Sequence, residues 1–159
     1  MRPGSHHRIP QRGFTYVWML AAVAVPGVGL AALGTLWSAA AQREREDELI
    51  RIGVAYAQAI ASYQRMSPGS VRQLPPSLEA LVLDDRYPQP QRHLRRLYPD
   101  PIDPGRPWGL LRDPEGRIKA VHSLSGEQPW RRVAFVVDGV SLPAAGAYSD
   151  WQFGVKGQP

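Results

Sequence analysis

No charged side chain stands between Arg12 and Arg43. An uncharged run of that length leaves few places to go. As a helix rising about 1.5 Å per residue, residues 14–41 would be roughly 42 Å long, and about 20 apolar residues already cross a bilayer core. An ordinary secretion signal has an apolar region of only about 7 to 15 residues. Ala39-Ala40-Ala41 does satisfy a small-x-small cleavage pattern, a match that comes cheaply in an alanine-rich segment, so a secreted form beginning at Gln42 stands as a competing reading. The flanks set an orientation. Residues 1–13 carry only arginine and histidine charges, whereas residues 43–51 alternate in sign with a slight acidic excess. By the excess of positive charge kept on the cytoplasmic side, the leader stays inside and the rest crosses.

The chain has 159 residues, which leaves room for one modest domain beyond the run. The formal charge of +5 would ordinarily prompt a search for nucleic acid, but Arg2, Arg8 and Arg12 precede the run, and the remaining charges nearly balance. No nucleic-acid-binding motif accompanies them, so nucleic acid is not expected as a partner. With no cysteine, disulfides, thiolate catalysis and cysteine-based zinc sites are excluded.

Beyond Gln42 the helical pattern continues. Leu49, Ile52, Tyr56, Ile60 and Tyr63 recur at spacings of three and four, with charged or small residues between them. One amphipathic stripe is expected over residues 42–66, stopped by Ser67-Pro68-Gly69, with Glu44 facing Glu48 and Asp47 facing Arg51. Pro26, Gly27 and Gly29 predict a kink or a locally melted turn over residues 22–29. Gly27 and Ala31 form a small-x-x-x-small pair that either lets a second helix approach or reflects the ordinary glycine content of membrane helices.

Residues 67–107 hold nine prolines and read as a loop wrapping the long helix. Two short helices are expected within it, one over residues 77–83 capped by Ser77 and one over residues 92–98 with Leu94 and Leu97 on one side. Arg92, Arg95 and Arg96 read as a solvated face. Residues 108–124 predict strand, turn, strand, with Asp113-Pro114-Glu115-Gly116 as the turn and Ile118, Ala120 and His122 alternating against Lys119, Val121 and Ser123. A third strand is expected over residues 133–137 and a fourth over residues 148–155. A hairpin alone is marginal in water, so the sheet, residues 108–159, needs the helical stripe as its floor. The fold class expected is α+β, a long N-terminal helix packed on a small antiparallel sheet.

Catalytic constellations are thin. His122 and Ser123 are strand neighbours whose side chains point to opposite faces. His93 and His122 are too few for a typical zinc site. Asp84-Asp85, Asp100 and Asp103 stand beside prolines, where turn and capping roles are the ordinary ones. No phosphate-cradling glycine loop is present. No enzymatic activity, metal or cofactor is expected.

"RGFT", residues 12–15, directly before the long apolar run, resembles the amino terminus of type IV prepilins and type II secretion pseudopilins. The resemblance implies a leader over residues 1–13, cleavage between Gly13 and Phe14 by a prepilin peptidase, methylation of the new amino-terminal Phe14, and retention of residues 14–41 as a transmembrane helix. It also implies a pilin-like head in the periplasm, a single-pass place in the inner membrane, other pseudopilins as partners through the helix, and contact with secreted cargo. Trp18 departs from the pattern, because most family members carry a glutamate at that place. An intramembrane carboxylate costs about 2.5 to 3.5 kcal/mol to insert and normally marks function, so its loss removes a pairing handle and points away from an abundant major subunit. Trp18 itself reads as an interfacial aromatic. "LYPDPIDPGRPWGLLRDPEGRIKAVHSLSGE", residues 97–127, resembles the head of major-type pseudopilins. In those relatives a loop after the sheet binds calcium, but here "SLSGEQPWRR" offers only Glu127, whereas calcium wants six to eight oxygens, and calcium is not expected. Two further readings stay open: a minor type IV pilin, and a signal-anchored periplasmic module that does not assemble, with Arg92 to Arg96 and exposed Trp130 and Trp151 as its contact surface.

Overall fold

The computed structural model describes residues 14–155; within the first helix the side chains of residues 14, 15, 21 and 23–36 are outside that description. The elements in order are α1 (Phe14–Arg65), α2 (Glu79–Val82), β1 (Gly109–Arg112), β2 (Ile118–His122), β3 (Phe135–Val137), β4 (Val140–Leu142), a 3-10 turn (Tyr148–Asp150) and β5 (Phe153–Gly154). The chain divides into two compact units, residues 1–41 and 42–159. In the first, the helical backbone continues through residues 22–29, so the proline and glycines there do not melt a turn. Among the described residues no helix is long and apolar enough to cross a membrane.

The second unit is α+β. Leu49, Ile52, Tyr56, Ile60 and Tyr63 are all buried, and burial of these apolar faces is the main drive for collapse. The buried surface is wider than one stripe, however, because Val54, Ala57 and Ala59 are buried as well and only Arg51 and Gln58 stay exposed between residues 51 and 60. The reason is that α1 is covered from two directions. On one flank the proline-rich loop lays Tyr98 against Tyr56, whose hydroxyl accepts from the Tyr98 amide at 2.9 Å and donates to the Tyr98 carbonyl at 3.1 Å. Trp108 closes the same corner, its indole nitrogen donating to that carbonyl at 2.8 Å and its ring edge-on to Tyr56 at 5.4 Å. On another flank β5 comes so near that a Cβ added at Gly53 would overlap the Phe153 ring. Gly53 is therefore a site of close approach. Gly53→Val is expected to destabilise the second unit by about 1–3 kcal/mol through overpacking, read as a lower urea midpoint at unchanged slope.

The sheet differs from the expectation in its partition. A three-stranded antiparallel sheet has the order β1-β2-β5, and β3 pairs with β4 in a separate two-stranded hairpin. Gly109 pairs with His122 and Leu111 with Ala120, with an irregularity before Arg112. The turn between β1 and β2 is built as its residues predict: the Asp113 carboxylate accepts from the Arg117 amide at 2.7 Å, and Gly116 takes φ +79°. The expected alternation along β2 does not hold, because Val121 and Ser123 are buried along with Ile118 and Ala120. β5 continues the sheet beyond β2 with Phe153 opposite Val121. The segment over residues 148–155 is thus a 3-10 turn followed by a two-residue strand.

Two further corrections concern residues 67–107. The helix expected over residues 77–83 is the four-residue α2, entered from Leu78 with no side-chain cap. The helix expected over residues 92–98 does not form. The Leu81 carbonyl instead accepts the amides of both His93 and Leu94, at 2.9 and 2.8 Å, which ties the segment to α2 in a non-helical conformation. Leu94 is buried, Leu97 exposed, and Arg92, Arg95 and Arg96 lie at the surface.

Candidate functional site

The residues singled out from sequence fall on the first unit. Gly13 lies outside the described residues, and Phe14 is the first residue of α1. Trp18 is on α1 and 64% exposed. Pro26, Gly27 and Ala31 are within the helical backbone, their side chains outside the description.

In the second unit, polar groups missed by sequence reasoning fasten loops to α1. Glu46 is 1% exposed. Its carboxylate accepts from the Trp130 amide at 2.6 Å, the Arg131 amide at 3.1 Å and the Tyr148 hydroxyl at 3.0 Å, with the Arg131 guanidinium 3.6 Å away. Burial, followed by the hydrogen bond to Glu46, pushes the Tyr148 hydroxyl up to about 12. Asp47 pairs with Arg131 at 2.6 Å, and Arg51 bonds Glu48 in place of the expected Asp47. Nothing in the alternating charges of residues 43–51 distinguishes Glu46 from its neighbours; only a loop returning from 84 positions away does.

Asp84 organises a second cluster. Arg86 reaches it through Nε at 2.8 Å and Nη2 at 2.7 Å, the Arg86 amide at 3.1 Å, and His93 Nε2 at 3.2 Å. The Arg86 guanidinium holds the carboxyl down at about 2, against the opposing effect of burial. Arg86 goes on to the Tyr63 carbonyl and Ser67 Oγ and lies 3.5 Å over the Tyr63 ring. His93 Nδ1 is 2.9 Å from Ser62 Oγ. Serine, histidine and aspartate therefore stand in a line, but the imidazole is 1% exposed and Asp84 is shared between His93 and the Arg86 guanidinium. What this arrangement does is lock the loop onto α1. Asp100 makes a third tie, accepting from the Ile102 amide at 2.9 Å and from Ser123 Oγ at 2.5 Å. The turn roles expected of Asp84 and Asp100 are present, in buried positions and not at the surface. His122 Nδ1 is 2.9 Å from the Ser123 carbonyl, and Ser123 Oγ turns the other way, toward Asp100.

A groove of about 630 Å³ runs beside α1, with Gln58 and Arg65 on the helix, Lys119 on β2, Asp138 at the β3–β4 turn, and Asp150 and Gln152 near β5 among its lining residues. Its charged groups are of both signs. Among the described residues no three histidine, aspartate or glutamate side chains gather as a metal site. In the "SLSGEQPWRR" loop the backbone is already engaged: Ser125 and Glu127 carbonyls accept from Ser149 and Tyr148, and the Trp130 and Arg131 amides go to Glu46. Trp130 is half exposed, but Trp151 is 0% exposed, edge-on to Phe135 and Tyr148 with its indole nitrogen on the Pro143 carbonyl. A contact surface using Trp151 is ruled out because that ring is the centre of the core. Set against family models, curated proteins and solved structures, the chain matches none of them.

Proposed function

We propose that the chain is a pseudopilin-like structural subunit, cut by a prepilin peptidase between Gly13 and Phe14, held in the inner membrane by residues 14–41, and able to join a secretion or pilus filament with its head in the periplasm. The observation that carries the reading is the arginine-glycine-phenylalanine junction standing directly before the uncharged run. Two features support it. Trp18 and Trp37, both exposed on α1, are 19 positions apart, which on a helix is about 28 Å, close to the roughly 30 Å of bilayer hydrocarbon. Amphipathic aromatics gather at the two interfaces of a membrane. The second unit also joins a helix to a small antiparallel sheet through an apolar face, the arrangement that a pilin-like head requires.

Mechanically, the apolar helix keeps each subunit in the bilayer until neighbouring helices replace lipid around it, and the head supplies lateral contacts or meets exported cargo. Trp18 in place of a glutamate favours a minor or tip position, since it brings no intramembrane carboxylate to pair with a neighbour.

Co-expression with a prepilin peptidase followed by amino-terminal sequencing tests the proposal. The expected mature chain begins at methylated Phe14, and Gly13→Leu blocks processing while leaving membrane insertion unchanged. A mature chain beginning at Gln42, or an intact mass after co-expression, overturns it.

A further inference from the structure

The β3–β4 hairpin has an edge that no strand covers. β4 pairs with β3 on one side, and among the described residues no strand pairs with β3 on the other. Which backbone groups face that edge follows from the turn. Val137 and Val140 flank Asp138 and Gly139, and the pair that closes a two-residue turn exchanges its hydrogen bonds. Bonded and non-bonded pairs then alternate along the ladder, so Val136, opposite Ser141, turns its N–H and C=O outward, and Ala134 two residues back shares that direction. Natural sheets ordinarily blunt such an edge with charge, proline or a bulge. Between Arg132 and Asp138 the sequence is Val-Ala-Phe-Val-Val, with none of these devices, and Val133 and Val136 are 72% and 67% exposed. An open edge with an apolar row is a template for another strand. Its charges say which strand fits. "RVAFVVD", residues 132–138, has a cation at one end, an anion at the other and Phe135 in the middle, so it is complementary to its own reverse.

We infer that β3 pairs antiparallel with β3 of a second copy of this chain, about a two-fold axis at Phe135, so that the hairpins of two heads form one continuous sheet. Ala134 then stands opposite Val136 of the other copy, and the outward groups of both exchange hydrogen bonds. Phe135 meets its counterpart at a non-bonded place, where cross-strand side chains come closest. At each end Arg132 comes opposite Asp138 of the other copy. Both are exposed; the Asp138 carboxylate has no partner among the described residues, and Arg132 bonds only Gln128 Oε1, at 3.2 Å. The backbone bends at Val133, so the ladder proper covers residues 134–136 and the arginine closes the remaining distance by the length of its side chain. The other charges of this segment stand outside the pairing: Arg131 is held by Glu46 and Asp47, and Glu127 falls beyond the paired stretch. Centring the pair on Ala134 or on Val136 would also match the backbone groups, but it sets Arg132 opposite a valine, Val136 or Val140. The charges thus select the register at Phe135. A two-fold contact is closed and consumes the edge of both copies, which leaves nothing on β3 to template further growth. The contact lies within the second unit and does not depend on residues 14–41 being in a membrane.

The chain has no cysteine, so cross-linking reads the register directly. Full-length chains carrying either Ala134→Cys or Val136→Cys, with tags of different mass, are mixed in mild detergent and oxidised with copper phenanthroline. Opposed residues of a bonded antiparallel pair have Cα atoms about 5.5 Å apart, within the span of a disulfide, whereas cysteines at the same position of the two copies lie beyond the limit of about 7 Å. The expected result is a mixed 134–136 product several-fold more abundant than either same-position product. Arg132→Glu in both chains should lower that yield several-fold by placing two carboxylates together, and adding Asp138→Asn should restore most of it, which the mere loss of the Gln128 contact would not allow. A dominant 134–134 or 136–136 product, equal amounts of all three, or no cross-link overturns the inference, and so does a yield indifferent to Arg132→Glu. Sedimentation of the same chains with membranes tests the proposed anchoring separately, since the cross-link is expected whether or not they sediment.

Discussion

Glu46→Ala is expected to lower the stability of the head by about 3–5 kcal/mol, the range for breaking a buried charged network by removing one partner. The carboxylate is the shared acceptor for two backbone amides, a phenol and a guanidinium that come from two separate loops. Removing it leaves the part-buried Trp130 and Arg131 amides and the buried Tyr148 hydroxyl without their acceptor. Tyr148→Phe, by contrast, deletes one donor and leaves the acceptor's other partners in place, so its cost should be nearer the 1.5–3 kcal/mol of a single hydrogen bond to a charged group. Urea titrations of the full chain in mild detergent, followed by near-ultraviolet dichroism of the buried tryptophans, separate the two; equal effects would mean that Glu46 acts through Tyr148 alone. Alkaline pH adds a direction. The Tyr148 hydroxyl is raised to about 12 in the fold, so the stability it contributes is complete below its ordinary value near 10 and is lost as pH rises from there through about 12. Glu46→Ala should flatten that loss.

Asp84→Asn is the second large effect, again about 3–5 kcal/mol, because it leaves the mostly buried Arg86 guanidinium facing a neutral amide. Acid reports on the same contact. The carboxyl is held near 2 by Arg86 against an ordinary value of 3.8. Its folded-state value being depressed, the contribution is present above pH 4 and disappears as pH falls through 2, amounting to about 2 kcal/mol over that window. The wild-type unfolding free energy should therefore drop between pH 4 and pH 2 more steeply than that of Asp84→Asn. Parallel curves for the two proteins would show that the ion pair does not couple folding to protonation.

The legible parts were those with a local cause. The stripe from Leu49 to Tyr63 follows from helical period, and the turn at Asp113 to Gly116 follows from an acceptor side chain and a glycine able to take positive φ. One signal was present and passed over. Asp138-Gly139 between Val137 and Val140 is a two-residue hairpin turn with both residues at positive φ, and β4 follows from it. Other elements carry no local signal. β5 is two residues long and exists because β2 offers an unpaired edge beside α1. The spacing of Leu94 and Leu97 suggested a helix that does not form, the segment being held to α2 at the Leu81 carbonyl. Trp151, read as surface, is the ring on which Phe135 and Tyr148 close.

Residue order alone determined the uncharged run, the basic residues before it, the Gly13-Phe14 pair at its start and the apolar period of residues 42–66, since each depends only on neighbours along the chain. Tertiary structure decided which carboxylates matter. Glu46 and Asp84 look like any surface acids until loops return from distant positions to enclose them, and desolvation then makes each the fixed point that its donors must find.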